Sequence, residues 1–262
     1  MRERDHELGL HGLALLRATD EHEVAVHRDA IAQLVATDDG TGAPRGLPEV
    51  ESREGYATWA QSYDGQGNRA IRAEDPVMAA LLHELGPGAG RRAVDAGCGT
   101  GRHTEKLVAG GWEAVGVDGS PEMLDVARER VPQADLREGD LRELPVEDGS
   151  AALAVCALAL SHLPDLTAMA ELGRILEPGG VLLLSNPHPV ATGLLGARAW
   201  CRTPVGERVQ IPEWAHPVGA YLDAFRLAGL VAERCLEPAY GPQDGLVAGL
   251  PAVIVWRAVK AR

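Results

Sequence analysis

The chain has 262 residues and a formal net charge of −13, from 38 acidic side chains against 25 lysines and arginines. That length suits one large domain with a proper core and a helical appendage. The acidic balance argues against a nucleic-acid backbone or an anionic membrane surface as partner, because each calls for a basic face.

Four scattered cysteines, Cys98, Cys156, Cys201 and Cys235, form no C-x-x-C pair, so neither a zinc site nor a disulfide framework is expected. No pair of acids or histidines has metal-ligand spacing, and no metal is expected. The charged start, Met1-Arg2-Glu3-Arg4-Asp5-His6-Glu7, has no signal-peptide core behind it. The longest apolar run, 151–160, is too short to span a bilayer. A reducing cytoplasm is the expected location.

Residues 8–36 read as one or two helices, with Val24, Ile31, Leu34 and Val35 in an apolar stripe. Residues 37–48 hold Gly40, Gly42, Pro44, Gly46 and Pro48 and read as a flexible connector. Residues 1–50 are therefore expected to be a helical extension and linker without a motif, serving as a lid or a homodimer contact. Residues 51–262 are expected to form the main domain.

The main domain opens with a helix over 54–63 that carries Tyr56, Trp59, Ala60 and Tyr63 on one face. It reads either as a helix packed on a sheet or as a lid over a ligand. A second helix covers 75–85, and a short buried strand covers 92–95. Then comes Val94-Asp95-Ala96-Gly97-Cys98-Gly99-Thr100-Gly101, an apolar run ending in an acid followed by three spaced glycines. Glycine lacks the Cβ that would hold a ligand off the backbone. The helix expected over 102–109 offers free N–H groups and a partial positive charge at its start. Strand, glycine loop and helix together mark a nucleotide-type cofactor site. A dinucleotide fold wants G-x-G-x-x-G, whereas here Arg102 stands at that third glycine position.

A second strand, 113–118, ends in Asp118, about twenty residues past the loop, where a carboxylate meets ribose hydroxyls. Ser120-Pro121-Glu122-Met123 follows as a helix start: cap, proline at the first helical position, acid in the first turn. A short strand over 134–137 leads to Gly139-Asp140-Leu141. Residues 151–157 show no polar alternation, as expected of a central strand buried on both faces. Leu172-Gly173-Arg174-Ile175-Leu176-Glu177-Pro178-Gly179-Gly180-Val181 reads as a helix, a Pro-Gly-Gly turn and a fifth strand. A helix begins near His216. Strands at 231–237 and 252–259 are joined by a loop too short for a crossover helix, so they pair antiparallel.

The ordered motifs from about residue 56 to the C-terminus resemble the class I S-adenosylmethionine (SAM)-dependent methyltransferases, most closely the small-molecule type of ubiquinone biosynthesis and secondary metabolism. The resemblance implies a Rossmann-like α/β fold: a mostly parallel seven-stranded sheet with an antiparallel last strand and helices on both faces. It implies SAM as cofactor, S-adenosylhomocysteine as product and a small-molecule acceptor methylated at oxygen, nitrogen or carbon. The cofactor contacts it implies are Tyr63, Asp95, Gly97, Cys98, Gly99, Asp118, Gly119, Met123, Asp140, Leu141, Ala157 and His162. Asp118 would meet the ribose, Met123 would lie over the adenine and Asp140 would meet its amino group. Cys98 reads as a small apolar filler in the loop, and His162 reads first as an anchor of the loop after the fourth strand.

Methyl transfer from a sulfonium needs positioning, desolvation and sometimes a base. His188 and His216 form the best base pair by residue type. With Tyr56, Trp59, Trp200, Trp214 and Tyr240 they are expected to line the acceptor pocket, capped by the insertion at 188–216. Two rival readings stay open: a fold relative that binds SAM without transferring methyl, and a nicotinamide-dependent oxidoreductase. The missing third glycine and the C-terminal strand pair argue against the second.

Overall fold

A computed structural model describes residues 3–37, 47–65 and 67–262. Most of the connector expected at 37–48 lies outside the described residues. The chain divides into two compact units, Met1–Pro48 with Tyr240–Leu250, and Glu49–Ala239 with Pro251–Arg262.

In the first unit, α1 (Glu3–Arg17) packs on α2 (Glu21–Ala36). Two helices rather than one follow from Asp20, whose side chain accepts the Glu23 N–H at 2.9 Å and starts a new helix. The rings of His11 and His27 meet across the pair, Nδ1 to Nδ1 at 3.1 Å. The Arg17 guanidinium donates to the Ala248 carbonyl at 2.7 Å and ties in the 240–250 segment. Tyr240 belongs to this unit, its N–H donating to the Leu250 carbonyl at 2.9 Å. That grouping of distant stretches has no counterpart in the linear division at residue 50.

The second unit is built on a seven-stranded sheet in the order β3-β2-β1-β4-β5-β9-β8. The strands are β1 (Arg92–Ala96), β2 (Glu113–Asp118), β3 (Asp135–Glu138), β4 (Ala151–Ala157), β5 (Leu176–Pro187), β8 (Leu230–Leu236) and β9 (Val253–Lys260). Strands β1 to β5 pair in parallel, and β9 runs antiparallel to both β5 and β8. A separate hairpin joins β6 (Trp200–Arg202) and β7 (Arg208–Gln210), two strands that the sequence does not announce.

Strand β4 shows why no polar alternation appears in its sequence. Ala154 and Cys156 pack into one core with Leu172, Tyr221, Phe225 and Trp256. Leu153 and Val155 face the opposite way, into a second core with Met78, Leu81, Leu107 and Trp112. Successive side chains of a strand point to opposite faces, so a strand covered on both sides must be apolar throughout. The first core is covered by α7 (Met169–Ile175) and α8 (Val218–Leu227), and the second by α4 (Arg69–Leu85) and α5 (Arg102–Ala109).

Several strands and the last helix shift by a residue or two from their expected bounds, and three elements differ in kind or by more. Helix α4 starts six residues before the expected 75, because the Asn68 side chain caps it by accepting the Ile71 N–H at 3.2 Å. Pro76 therefore sits inside the helix rather than at its start, and forfeits one backbone hydrogen bond. The expected Pro-Gly-Gly turn is a bulge within β5: Ala151 pairs with Leu176, but Leu153 pairs with Val181. Gly179 takes φ +84° there, in the left-handed region. The expected 54–63 helix is α3 (Ser52–Trp59) plus a single 3₁₀ turn, Ala60–Ser62.

Candidate active site

The carboxyl ends of β1, β2, β4 and β5 converge on the loop between β1 and α5. Gly97, Gly99 and Gly101 have φ of +75°, +53° and +79°. The Gly97 and Cys98 N–H groups donate to the Val117 carbonyl at 2.7 and 3.0 Å, binding the loop to β2. A Cβ at Gly97 would come within 2.7 Å of the Ala159 Cβ, and one at Gly101 within 3.1 Å of the Ala127 Cβ. A Cβ at Gly99 would meet nothing within 4 Å. Gly97 is thus required by the protein's own packing, while Gly99 presents bare backbone to open space.

Asp118, at the end of β2, accepts the Gly99 N–H at 2.8 Å and the Ser120 N–H at 2.9 Å. The Gly119 amide also favours its charged form, and the carboxylate keeps acceptor capacity for a hydroxyl. Burial raises its carboxyl above the usual range, against the pull of these amides. Ser120 in turn caps α6 (Pro121–Arg130), accepting the Met123 N–H at 3.3 Å.

The other expected cofactor contacts are distributed as follows. Asp95 is buried and accepts the Thr104 hydroxyl at 2.6 Å, which binds β1 to α5; burial raises its carboxyl. Asp140 is exposed and clasped by Arg142, at 3.0 Å from Nε and 2.7 Å from a terminal nitrogen. Leu141 reaches within 3.7 Å of a Cβ built at Gly97, and a Cβ at Gly119 would lie 3.6 Å from the Gly139 carbonyl. Cys98 and Met123 are buried side chains, and Ala157 closes β4 opposite Ser185.

An aromatic group stands over the β4 end. Tyr56 stacks on Trp59 with centroids 6.0 Å apart and 21° between planes, and Tyr63 meets both edge-on. The Tyr56 hydroxyl lies 2.6 Å from Nε2 of His162, and Nδ1 of His162 lies 2.8 Å from the Pro212 carbonyl. A carbonyl only accepts, so the proton is on Nδ1 and Nε2 accepts from the tyrosine. His162 is held neutral by burial, its pKa pushed down to about 4. Burial likewise raises the Tyr56 and Tyr63 hydroxyls.

Asp64, next to Tyr63, accepts the Thr100 hydroxyl at 2.8 Å and the Arg130 guanidinium at 2.6 Å through one oxygen. Its other oxygen is buried without a partner among the described residues. Beneath Tyr63, Glu74 is fully buried between Arg102 at 2.7 Å and Nε2 of His103 at 3.0 Å, and accepts the Ser185 hydroxyl at 2.8 Å.

The two histidines expected to supply a base are both engaged elsewhere. Nδ1 of His188 accepts the Val190 N–H at 3.1 Å, so its Nε2–H donates to Glu237 at 2.8 Å. Nε2 of His216 donates to the Leu160 and Leu163 carbonyls at 3.2 and 3.1 Å. Each pins a loop, through its own set of partners. Trp200 lies in the hairpin with the Arg208 guanidinium 4.1 Å above its ring. Trp214 is 40% exposed, and its N–H donates to the Ser161 carbonyl at 2.8 Å.

Sequence reasoning missed Glu213. Its Oε2 accepts the Ala199 N–H at 2.6 Å, and burial lifts its carboxyl to about 7. It acts electrostatically on Tyr56. Only an acid between Pro212 and Trp214 stands in the sequence, with no motif around it.

The residues present fit a SAM-type cofactor. Gly99 leaves a cradle that a Cβ would fill, Asp118 keeps acceptors for ribose hydroxyls, and the start of α5 faces the same loop. Among the described residues no group of three or more His, Cys, Asp and Glu could hold a metal ion. No helix among them is long and apolar enough to cross a membrane.

Comparison with known proteins agrees. The family model for the methyltransferase domain matches residues 94–184, from β1 to β5. An uncharacterized methyltransferase of Mycobacterium tuberculosis is 37% identical over 170 residues, which cover 56% of this chain and 66% of that protein. A probable S-adenosylmethionine-dependent methyltransferase of Mycolicibacterium smegmatis is 33% identical over 47% of each chain. The fold alone is shared with a solved [4+2]-cyclase, at a TM-score of 0.57 and 18% identity over 82% of this chain and 99% of that one. The match thus spans just under two thirds of the length of the mycobacterial relative. Residues 94–184 thus carry a methyltransferase domain, set in a sheet of the Rossmann-like methyltransferase order, and the chain is similar to SAM-dependent methyltransferases.

Proposed function

We propose that the chain transfers the methyl group of SAM to a small-molecule acceptor. The observation that carries the reading is the Gly99–Asp118 pair. A backbone amide aims a carboxylate across the mouth of a loop whose ligand side is bare. SAM would supply an electrophilic methyl on a sulfonium that departs as a neutral thioether. The chain's own residues would bind the ribose at Asp118, admit the cofactor at Gly99 and wall the reacting side with Tyr56, Trp59 and Tyr63. Exclusion of water and alignment of the acceptor are most of what such a transfer needs. The acidic chain, at −13, favours a small acceptor over a nucleic acid.

A second reading rests on the fold shared with a [4+2]-cyclase: a protein that binds SAM or its product and transfers nothing. Titration calorimetry with S-adenosylhomocysteine tests cofactor binding, which both readings require. Incubation with methyl-labelled SAM and a library of small acceptors separates them. Label in an acceptor supports transfer, and tight binding with no label in any acceptor favours the second reading.

A further inference from the structure

Methyl transfer to an O–H or N–H acceptor releases a proton, and the site has few places to put it. The histidines near the strand ends are each committed to loop contacts. His162 donates from Nδ1 and accepts at Nε2, His188 accepts at Nδ1 and donates from Nε2, and His216 donates to two carbonyls. Tyr56 spends its own proton on His162. Asp118 is turned to the glycine loop by two amides.

Glu213 is different. The backbone on either side of it is fastened to the loop after β4: the Pro212 carbonyl accepts from His162, and the Trp214 N–H donates to Ser161. The carboxylate is therefore held at the carboxyl end of the central strand, beside Tyr56. Its Oε2 accepts the Ala199 N–H at 2.6 Å. No lysine or arginine among the described residues forms a salt bridge with it. The Arg198 guanidinium is spent on the Thr192 and Ala197 carbonyls. The buried Ser161 hydroxyl faces Glu213 and favours its charged form against the effect of burial. A carboxylate held in place through one oxygen by a backbone amide keeps lone pairs on the other to receive a proton.

The neighbouring surface says what kind of ligand. Tyr56 and Trp59 lie nearly parallel, and Tyr63 closes against their edges. Such a wall suits a flat ring, which packs offset or edge-on against aromatic faces.

We propose, resting on the methyl-transfer reading above, that Glu213 is the proton acceptor of the methyl-acceptor site and that its substrate is a phenolic ring seated against Tyr56. The phenol oxygen forms the new O–C bond as the S–C bond breaks. The S–C electron pair returns to sulfur, which leaves neutral, and the phenolic proton passes to the Glu213 carboxylate. Its carboxyl at about 7 matches that task, because a base poised near the working pH combines the right protonation state with driving force.

The test compares wild type with Glu213→Gln and Glu213→Asp. Affinity for S-adenosylhomocysteine is measured by calorimetry, and transfer from SAM is measured to phenol, catechol, 1-naphthol, benzylamine and benzenethiol. The expected result is methylation of the phenols at a kcat that rises with pH through about 7. Glu213→Gln should bind S-adenosylhomocysteine as wild type does, lose about a hundredfold in kcat and lose that pH limb. Glu213→Asp should recover part of the rate and keep a limb. Carboxyl ¹³C NMR should show one glutamate titrating near 7, absent from Glu213→Gln. Phenol turnover undiminished in Glu213→Gln, transfer to the amine or thiol alone, no transfer to any probe by an enzyme that binds S-adenosylhomocysteine, or an ordinary Glu213 titration would each overturn the proposal. Wild type that fails to bind S-adenosylhomocysteine would instead overturn the methyltransferase reading beneath it.

Discussion

Gly97 and Gly99 share a left-handed φ but not a role. Gly97→Ala drives a Cβ to 2.7 Å from Ala159 at a φ of +75°, so it should lower stability by about 1–3 kcal/mol, seen as a drop in urea midpoint. A Cβ at Gly99 meets no protein atom within 4 Å, so Gly99→Val carries the strain of a φ of +53° but no clash at its Cβ. It should keep the wild-type circular dichroism yet abolish binding of S-adenosylhomocysteine by calorimetry. Normal binding by Gly99→Val would reduce the loop to a turn. Asp118→Ala should weaken that binding by about 1–3 kcal/mol through the loss of charge-assisted hydrogen bonds, and unchanged affinity would remove Asp118 from the site. These residues were legible in the sequence because their motif is local: strand end, glycine spacing and acid lie within about thirty residues of one another. Glu213 was not, because its setting is assembled from Tyr56, Ser161, Ala199 and Glu213, which only the fold brings together. The histidines were candidates by residue type alone. Histidine is a base candidate by residue type, but the ring nitrogens of His188 and His216 are bound to a backbone amide, a carboxylate and carbonyls.

At the scale of elements, β2, β4 and α5 match their expected bounds because each has a clean signal: an apolar run of strand length, or a helix entered through glycine. Helix α4 was misplaced because proline is a strong but ambiguous breaker, and the Asn68 cap outranked it. The hairpin of β6 and β7 has three residues per strand, too few to show a period. Helix α3 is where the sequence left two readings, lid or packed helix. In the structure it is bound at its flanks, by the Cys201 thiol to the Gly55 carbonyl, by Arg53 to Glu138 at 2.8 Å and by Asp64 to Arg130. Of its eight residues only Gly55 is buried, so few apolar contacts resist its opening. Amide exchange across 54–63 should therefore be fast in the free protein and slow with S-adenosylhomocysteine bound, as for a closing lid. Equal and slow exchange in both states would make α3 a permanent wall.

For the whole molecule, the alternation of apolar strands with helices was enough to announce a parallel sheet covered on both faces, and the short 238–251 connection was enough to reverse β9. What no linear pattern announces is how the two helices of one face, α4 and α5, are locked to each other and to the sheet. Part of the answer is ionic: Glu74 from α4, Arg102 and His103 from α5 and Ser185 from β5 meet in one buried cluster, with Asp75 and Lys106 paired at its rim. Desolvation alone would raise the Glu74 carboxyl, but His103 and Arg102 outweigh it and hold it at about 2. The folded pKa is depressed below the ordinary 4.5, so between these values the unfolded chain binds more protons than the folded one. The cluster's contribution to stability is therefore complete above about 4.5 and is lost as pH falls toward 2. Glu74→Gln leaves Arg102 with only the rim carboxylate of Asp75, at 2.6 Å, and takes the carboxylate from His103, and should cost up to about 3–5 kcal/mol at neutral pH. The urea midpoint of Glu74→Gln should accordingly lie far below wild type at pH 7, and the gap should narrow steadily below pH 4.5 as wild type loses the same charge. A gap that stayed constant through acid would mean that Glu74 acts by shape and packing rather than by its charge.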